Sequence, residues 1–339
     1  METAGRDERD DRDPRLETIA SLGESAVLAR VLPRLVSGDA ALLGPGDDAA
    51  VLAAADGRYV VTTDLMVHGP DFRLAWSSPH DLGWKAAATN LTDVAAMGAR
   101  PTALVVAIAA PPSTPVVVLE GIADGLRDGL ERLAPGAGVV GGDLSASTVL
   151  TIAVTAFGDL EGRAPVLRSG ARPGDTVAHA GDRGLAARGL RLLFDRATDA
   201  SGEPDPVAAA HVRAEHPIEV AAQLAPAPPV AAGVAAALAG ATAMLDVSDG
   251  LARDALRIAQ ASGVAIDFVG ASLGGDPRLA LAGAEDHGLL AAFPPGVALP
   301  EPFTVVGRVV AGEPAVLLDG VDVAAIGWDP YAGWDGRAG

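Results

Sequence analysis

Aspartates recur at turns between apolar runs, and this recurrence constrains the chain more than any other feature. Five short motifs carry them: Gly44-Pro45-Gly46-Asp47-Asp48, Thr62-Thr63-Asp64, Asn90-Leu91-Thr92-Asp93, Gly141-Gly142-Asp143 and Asp246-Val247-Ser248-Asp249-Gly250. Taken singly, each has an ordinary structural explanation as a turn, strand end, solvated helix face or helix cap. Together they place carboxylates beside segments that read as buried, where an unpaired charge is costly. Carboxylates brought together repel unless a cation separates them, and hard divalent cations such as Mg²⁺ prefer oxygen ligands. The pattern therefore points to a pocket that holds several magnesium ions and, through them, phosphates.

Composition narrows the partners. A formal net charge of -19 argues against a nucleic-acid surface, which needs clustered lysine and arginine. No apolar run reaches the ~18 residues of a membrane span. The first 15 residues are charged, without the apolar core of a secretory signal, and residues 1–20 are expected to form a disordered acidic lead. The chain has no cysteine, so thiolate metal sites and cysteine nucleophiles are excluded. A cytoplasmic enzyme is the expectation. Lys85 is the only lysine, and its context, Leu82-Gly83-Trp84-Lys85-Ala86, is not a Walker-A loop. Any nucleotide phosphates must then be neutralised by metal ions and backbone amides.

Strands and helices alternate in both halves of the 339 residues, which predicts two α/β (α+β) domains, 21–160 and 161–339. In the first, residues 58–63 form a strand ending at Asp64. Ser78-Pro79-His80-Asp81 opens a helix running to about Met97, with Asn90 and Asp93 on one face. Residues 102–109 form a strand and 115–133 a helix. A short strand over 137–140 delivers Gly141-Gly142-Asp143, and 148–157 is a further strand. A Gly-, Pro- and Arg-rich stretch over 161–175 marks the junction. The second half has helical segments at 184–194, 206–224, 231–239 and 251–262, and strands at 242–245, 264–268 and 303–310. Residues 269–302, rich in Ala, Gly and Pro, carry no clear period.

The ordered motif set, with Arg168-Ser169-Gly170-Ala171-Arg172-Pro173-Gly174-Asp175 between the last two aspartate motifs, resembles the thiamine-monophosphate kinase family over nearly the whole chain. That family lies within the aminoimidazole-ribotide-synthetase-like superfamily. The resemblance implies the two-domain fold of that superfamily, a homodimer formed by the N-terminal domains, and ATP-dependent phosphorylation of thiamine monophosphate to thiamine diphosphate. It implies Mg²⁺ ligation by Asp48, Thr62, Thr63, Asp64, Asp93, Asp143, Asp246 and Asp249. It further implies ATP contacts at Gly142, Asp143, Arg168 and Ser248, and thiamine-side contacts at Glu285 and Trp334. Asp71 stands where the family usually has histidine and is the third expected acceptor contact. The acceptor is itself an ionised phosphate oxygen, so no general base is expected. The aromatic that usually follows the terminal Gly-Trp is missing after Trp334, where Asp335-Gly336-Arg337 follows. Two alternatives remain: a non-catalytic ATP- and metal-binding homologue, or another ATP-dependent enzyme of the superfamily with a changed acceptor. Lack of cysteine counts against its selenophosphate-synthetase and hydrogenase-maturation branches.

Overall fold

The computed structural model describes residues 17–36, 38–43, 50–324 and 327–328. Asp48, Trp334 and most of the expected N-terminal lead lie outside them. The end of that lead is ordered: Thr18 caps helix α1 (Ile19–Leu22), and the Ile19 and Ala20 amides donate to Thr114 and Pro112 carbonyls. Helix α2 (Glu24–Val31) and a two-stranded ribbon, β1 (Ala41–Leu43) and β2 (Val51–Leu52), follow.

The first sheet has the order β3-β6-β4-β5, formed by β3 (Val60–Val67), β4 (Arg100–Ala110), β5 (Gly138–Ala146) and β6 (Thr151–Asp159). Helices α3 (Pro79–Ala96) and α4 (Val116–Leu133) connect its strands. Alternation along β6 buries Ile152, Val154 and Ala156 on the side where α3 packs. The opposite face stays open, with Val61 and Leu65 of β3 exposed.

The sequence places α3 well. Ser78 and Asp81 form a reciprocal capping box, Pro79 occupies the first turn, and Gly98 turns the chain with φ +72°. Its packing against α4 depends on glycines inside both helices. A Cβ at Gly83 would collide with the Ile122 carbonyl, and one at Gly125 with the His80 carbonyl. Interior helix glycine costs roughly 0.5–1 kcal/mol; here backbone-to-backbone approach offsets it.

The second sheet runs β13-β12-β9-β11-β7-β10-β8. In chain order its elements are β7 (Thr176–Ala180), α5 (Leu185–Arg196), α6 (Pro206–Glu215), α7 (Pro217–Leu224), α8 (Ala231–Leu238), β8 (Ala243–Val247), α9 (Leu251–Ser262) and β9 (Ala265–Phe268). They continue with α10 (Pro277–Ala282), β10 (Gly288–Phe293), β11 (Thr304–Val310), β12 (Ala315–Leu318) and β13 (Val321–Asp322). One apolar cluster joins the two halves: Leu91 and Ala95 of α3 share it with Ala232, Met244, Leu289 and Phe293. A smaller cluster gathers α5, α6 and α7 around Trp76, whose indole N–H donates to the Ala197 carbonyl at 2.9 Å.

Several expectations change. The single helix over 206–224 is two, broken at His216 because Pro217 disfavours helical backbone before it and lacks an N–H. Strand β3 continues to Val67, so Asp64 is within the strand. Strand β5 runs through Gly141-Gly142-Asp143, so Asp143 is within it as well. Residues 269–302 contain α10 and β10, the latter paired on both sides by β7 and β8. Gly125→Ala should destabilise the protein by more than about 2 kcal/mol in urea denaturation, by forcing α3 from α4. A loss below 0.5 kcal/mol would show that the close approach is dispensable.

Candidate active site

Strand β3 and helix α3 supply the first half of the site. Thr62, Asp64 and Met66 alternate onto the face toward α3, where the Thr62 hydroxyl donates to Asp93 Oδ2 at 2.9 Å. Thr63 belongs to the other, open face; its hydroxyl donates to the Val154 carbonyl and accepts from Thr155. Asn90 does not line the site with the half-buried Asp93. It is fully buried, and its amide nitrogen donates to the Ala86 carbonyl at 3.0 Å.

The second half comes from β8 and the loops beside it. Buried strand β8 carries Asp246, whose register partner on β10 is Leu289. Asp249 is already engaged: Arg257 donates to its carboxylate at 2.5 Å, and its own amide donates to Asp254 at 3.0 Å. Burial pushes the Asp254 carboxyl up to about 7 despite the neighbouring Arg257, with Asp246 and Asp249 adding to the rise. The loop before β10 lies alongside, its Glu285 and His287 amides donating to the Ser248 and Val247 carbonyls. Both residues have left-handed backbone, φ +72° and +49°.

Electrostatics link the two halves. Burial, then Asp246 and Asp64, push the Asp93 carboxyl up to about 7, against the Thr62 hydrogen bond and His287. Asp64 is also raised, by burial first and by Asp246, Glu285 and Asp249, with His287 opposing. Like charges on β3, α3 and β8 therefore feel one another. His287 is buried between Asp246 (3.9 Å) and Glu285 (3.8 Å), and neither ring nitrogen has a hydrogen-bond partner among the described residues. Burial opposes its protonation, but the two carboxylates outweigh that and raise its pKa. Among the described residues, no three acidic or imidazole groups already close around one point as a complete ion cage.

Two cavities flank this charge cluster. One, of about 730 Å³, is lined by Thr62, Asp93, Asp246, Tyr59, Met97 and the exposed Arg168. The other, of about 250 Å³, is lined by Asp71, Phe72, Trp76, Lys85, Glu285 and Trp328. Its aromatic wall already holds a cation, the Arg73 guanidinium lying 4.7 Å from the rings of both Trp76 and Phe194. Asp71 is half-buried, with Oδ2 accepting the Val67 amide at 2.7 Å, so one oxygen closes a turn. Burial raises its carboxyl, with Glu285 adding and Lys85 opposing.

The structure thus brings Thr62, Asp64, Asp93 and Asp246 together, sets Arg168 on one cavity, and sets Asp71 and Glu285 on the other. Ser248 and Asp249 lie at the β8–α9 turn beside them. Gly142 and Asp143 are elsewhere in the protomer. Asp143 pairs across the sheet with Ala107, then Ala153, then Leu65, three strand spacings of about 4.8 Å each. The lining of the second cavity that sequence reasoning does not flag includes Lys85 and Trp328. Trp328 belongs to an earlier Gly-Trp pair, Gly327-Trp328, and Tyr331 follows it three residues later. That pair, rather than Gly333-Trp334, satisfies the pattern of a Gly-Trp with a following aromatic.

Comparison with known proteins agrees with this architecture. Residues 46–160 match the model of the AIR synthase related protein, N-terminal domain. A thiamine-monophosphate kinase of Mycobacterium tuberculosis is 43% identical over 332 residues, covering 94% of this chain and 92% of its own. The chain belongs to the thiamine-monophosphate kinase family. The family's solved structures share the fold. That of the Stenotrophomonas maltophilia K279a thiamine-monophosphate kinase superposes with a TM-score of 0.73 at 31% identity, over 88% of this chain and 96% of that one. AaThiL complexed with AMPPCP and TMP gives a TM-score of 0.67 at 29% identity, over 91% and 96%.

Like-charge repulsion at Asp93 makes a prediction that separates function from stability. A carboxyl raised by folding stabilises the fold below its unfolded pKa, and that contribution is lost as pH rises through about 7. Without divalent metal, Asp93→Asn should therefore raise Tm at pH 8, by about 2–4 °C for each kcal/mol relieved. An unchanged or lower Tm in thermal denaturation would contradict the repulsion.

Proposed function

We propose that this protein transfers the γ-phosphoryl group of ATP to thiamine monophosphate, forming thiamine diphosphate and ADP. The observation that carries the reading is the carboxylate cluster between two unlike cavities. The larger offers Arg168 and open space for a nucleotide. The smaller has the carboxylates of Asp71 and Glu285 and, beside the rings that Arg73 covers, Trp328 for a cationic, aromatic acceptor. The relative AaThiL was solved complexed with AMPPCP, an ATP analogue, and TMP together.

Asp64, Asp93, Asp246 and the Thr62 hydroxyl would hold Mg²⁺, with Asp48 and Asp249 as further expected ligands. Bound metal would neutralise the triphosphate and the charge that spreads during transfer. The chain's own groups do the rest. Arg168 clamps the nucleotide, while Asp71, Glu285 and Trp328 orient the thiamine ring so that an acceptor phosphate oxygen faces the γ-phosphorus. That oxygen forms the new P–O bond as the bond to ADP breaks. It is already ionised, so no side chain must remove a proton.

Thr63 and Asp143 support a homodimer. Both lie on the open sheet face, yet at opposite edges of one sheet, and the exposed Val61 and Leu65 make that face apolar. Packing this face against a second copy would cover the apolar residues and bring Asp143 and Gly142 of the partner to the Thr63 side of each site. No helix among the described residues is long and apolar enough to cross a membrane. Dependence on ATP and the cysteine-free sequence suit the cytoplasm.

Purified protein given ATP, Mg²⁺ and thiamine monophosphate should form thiamine diphosphate, detected by chromatography. Asp93→Ala and Asp143→Ala should each reduce turnover at least ~100-fold. Co-expressed, the two inactive variants should recover about a quarter of full activity, since half the dimers are mixed and each mixed dimer has one intact site. Normal folding and ATP–Mg²⁺ binding without turnover would reject the kinase reading in favour of a binding protein. No recovery on co-expression would reject the shared site.

A further inference from the structure

In a chain whose other cationic side chains are arginine or histidine, the single lysine is buried at the boundary between the two halves. Lys85 is 4% exposed on α3, and its ammonium lies 2.5 Å from Glu285 Oε2. Glu285 is held by left-handed backbone on the loop before β10, with its amide donating to the Ser248 carbonyl. Both side chains line the smaller cavity beside Asp71 and Trp328. Beyond Glu285 stand His287 and then Asp246. A line of alternating charge thus runs from the acceptor cavity to the carboxylate cluster.

Building on the proposed kinase activity, we infer that Lys85 is a positioning residue for the acceptor, fixing Glu285 with one carboxylate oxygen engaged and the other presented to the cavity. The surroundings of Glu285 would otherwise disfavour that state. Its charge acts on both Asp64 and Asp71, so an unanchored carboxylate would turn away from them. Burial alone would push its carboxyl up, but Lys85 first, and His287 next, overcome this and hold it well below the usual carboxylate range. A fixed, ionised glutamate is what a cationic ring requires. Lysine suits the task better than arginine. A compact ammonium takes one oxygen, whereas a guanidinium fork engages both and leaves neither wholly free for a ligand.

Lys85→Met, Lys85→Arg, Glu285→Gln and the Lys85→Met/Glu285→Gln double variant form the test. Thiamine monophosphate affinity is measured by calorimetry, the KM of each substrate by turnover, and folding by thermal denaturation. Lys85→Met should weaken thiamine monophosphate binding about tenfold or more and raise its KM equally, with the ATP KM within about twofold. Lys85→Arg should fold and also bind the acceptor more weakly. The double variant should be no worse than Glu285→Gln alone, because Lys85 acts through that carboxylate. If Lys85→Met does not fold, Lys85→Arg and the double variant decide, since the double leaves no unpaired buried carboxylate. Acceptor binding within twofold of normal in Lys85→Met or Lys85→Arg would overturn the inference. So would losses from Lys85→Met and Glu285→Gln that multiply in the double variant. Turnover by the unaltered protein separates the two claims: without it the kinase reading fails, and without thiamine monophosphate binding both fail.

Discussion

Repulsion among carboxylates from β3, α3 and β8 is the constraint around which the site is built. Folding places Asp246 in buried surroundings and the half-buried Asp93 within reach of it and of the more exposed Asp64, and the Asp93 carboxyl is raised to about 7. Such an arrangement costs stability in the protein alone. Under the proposed kinase reading, the same oxygens would hold a divalent cation between the two cavities.

Helix α3 is what forces the charges together. Its capping box fixes where it starts, and its glycine-mediated approach to α4 fixes how deep it lies. Steps of about four residues then set Asp81, Lys85 and Asp93 along a slowly winding stripe. Arg213 of α6 meets Asp81, the loop before β10 meets Lys85, and β3 meets Asp93. One helix therefore registers the helical arm around Trp76, the smaller cavity and the carboxylate cluster against one another. Glycine at position 233 closes the same seam from the other side, since a Cβ there would strike the Ala95 carbonyl.

The parts legible in sequence were those with local signatures. Helix α3 announces itself by Ser78, Pro79 and Asp81, and the aspartate motifs stand out because each sets a carboxylate among apolar neighbours. What escaped depends on contacts far apart in sequence. Lys85 looks like any helical lysine until Glu285 folds onto it. Trp328 is masked in sequence by a second Gly-Trp pair, Gly333-Trp334, that follows it. Strand β10, Gly288-Leu-Leu-Ala-Ala-Phe293, is buried throughout its length, so it has no alternation to betray a strand. Asp143 shares a motif style with the other aspartates, yet its strand lies at the far edge of the sheet, a placement that only pairing order reveals.

Anomalous diffraction from crystals grown with Mn²⁺ and a non-hydrolysable ATP analogue tests the central claim most directly. The account predicts metal peaks at Asp64, Asp93 and Asp246, beside the analogue's phosphates. Bound nucleotide with those three carboxylates free of metal, or with the ions held at other residues, would contradict it.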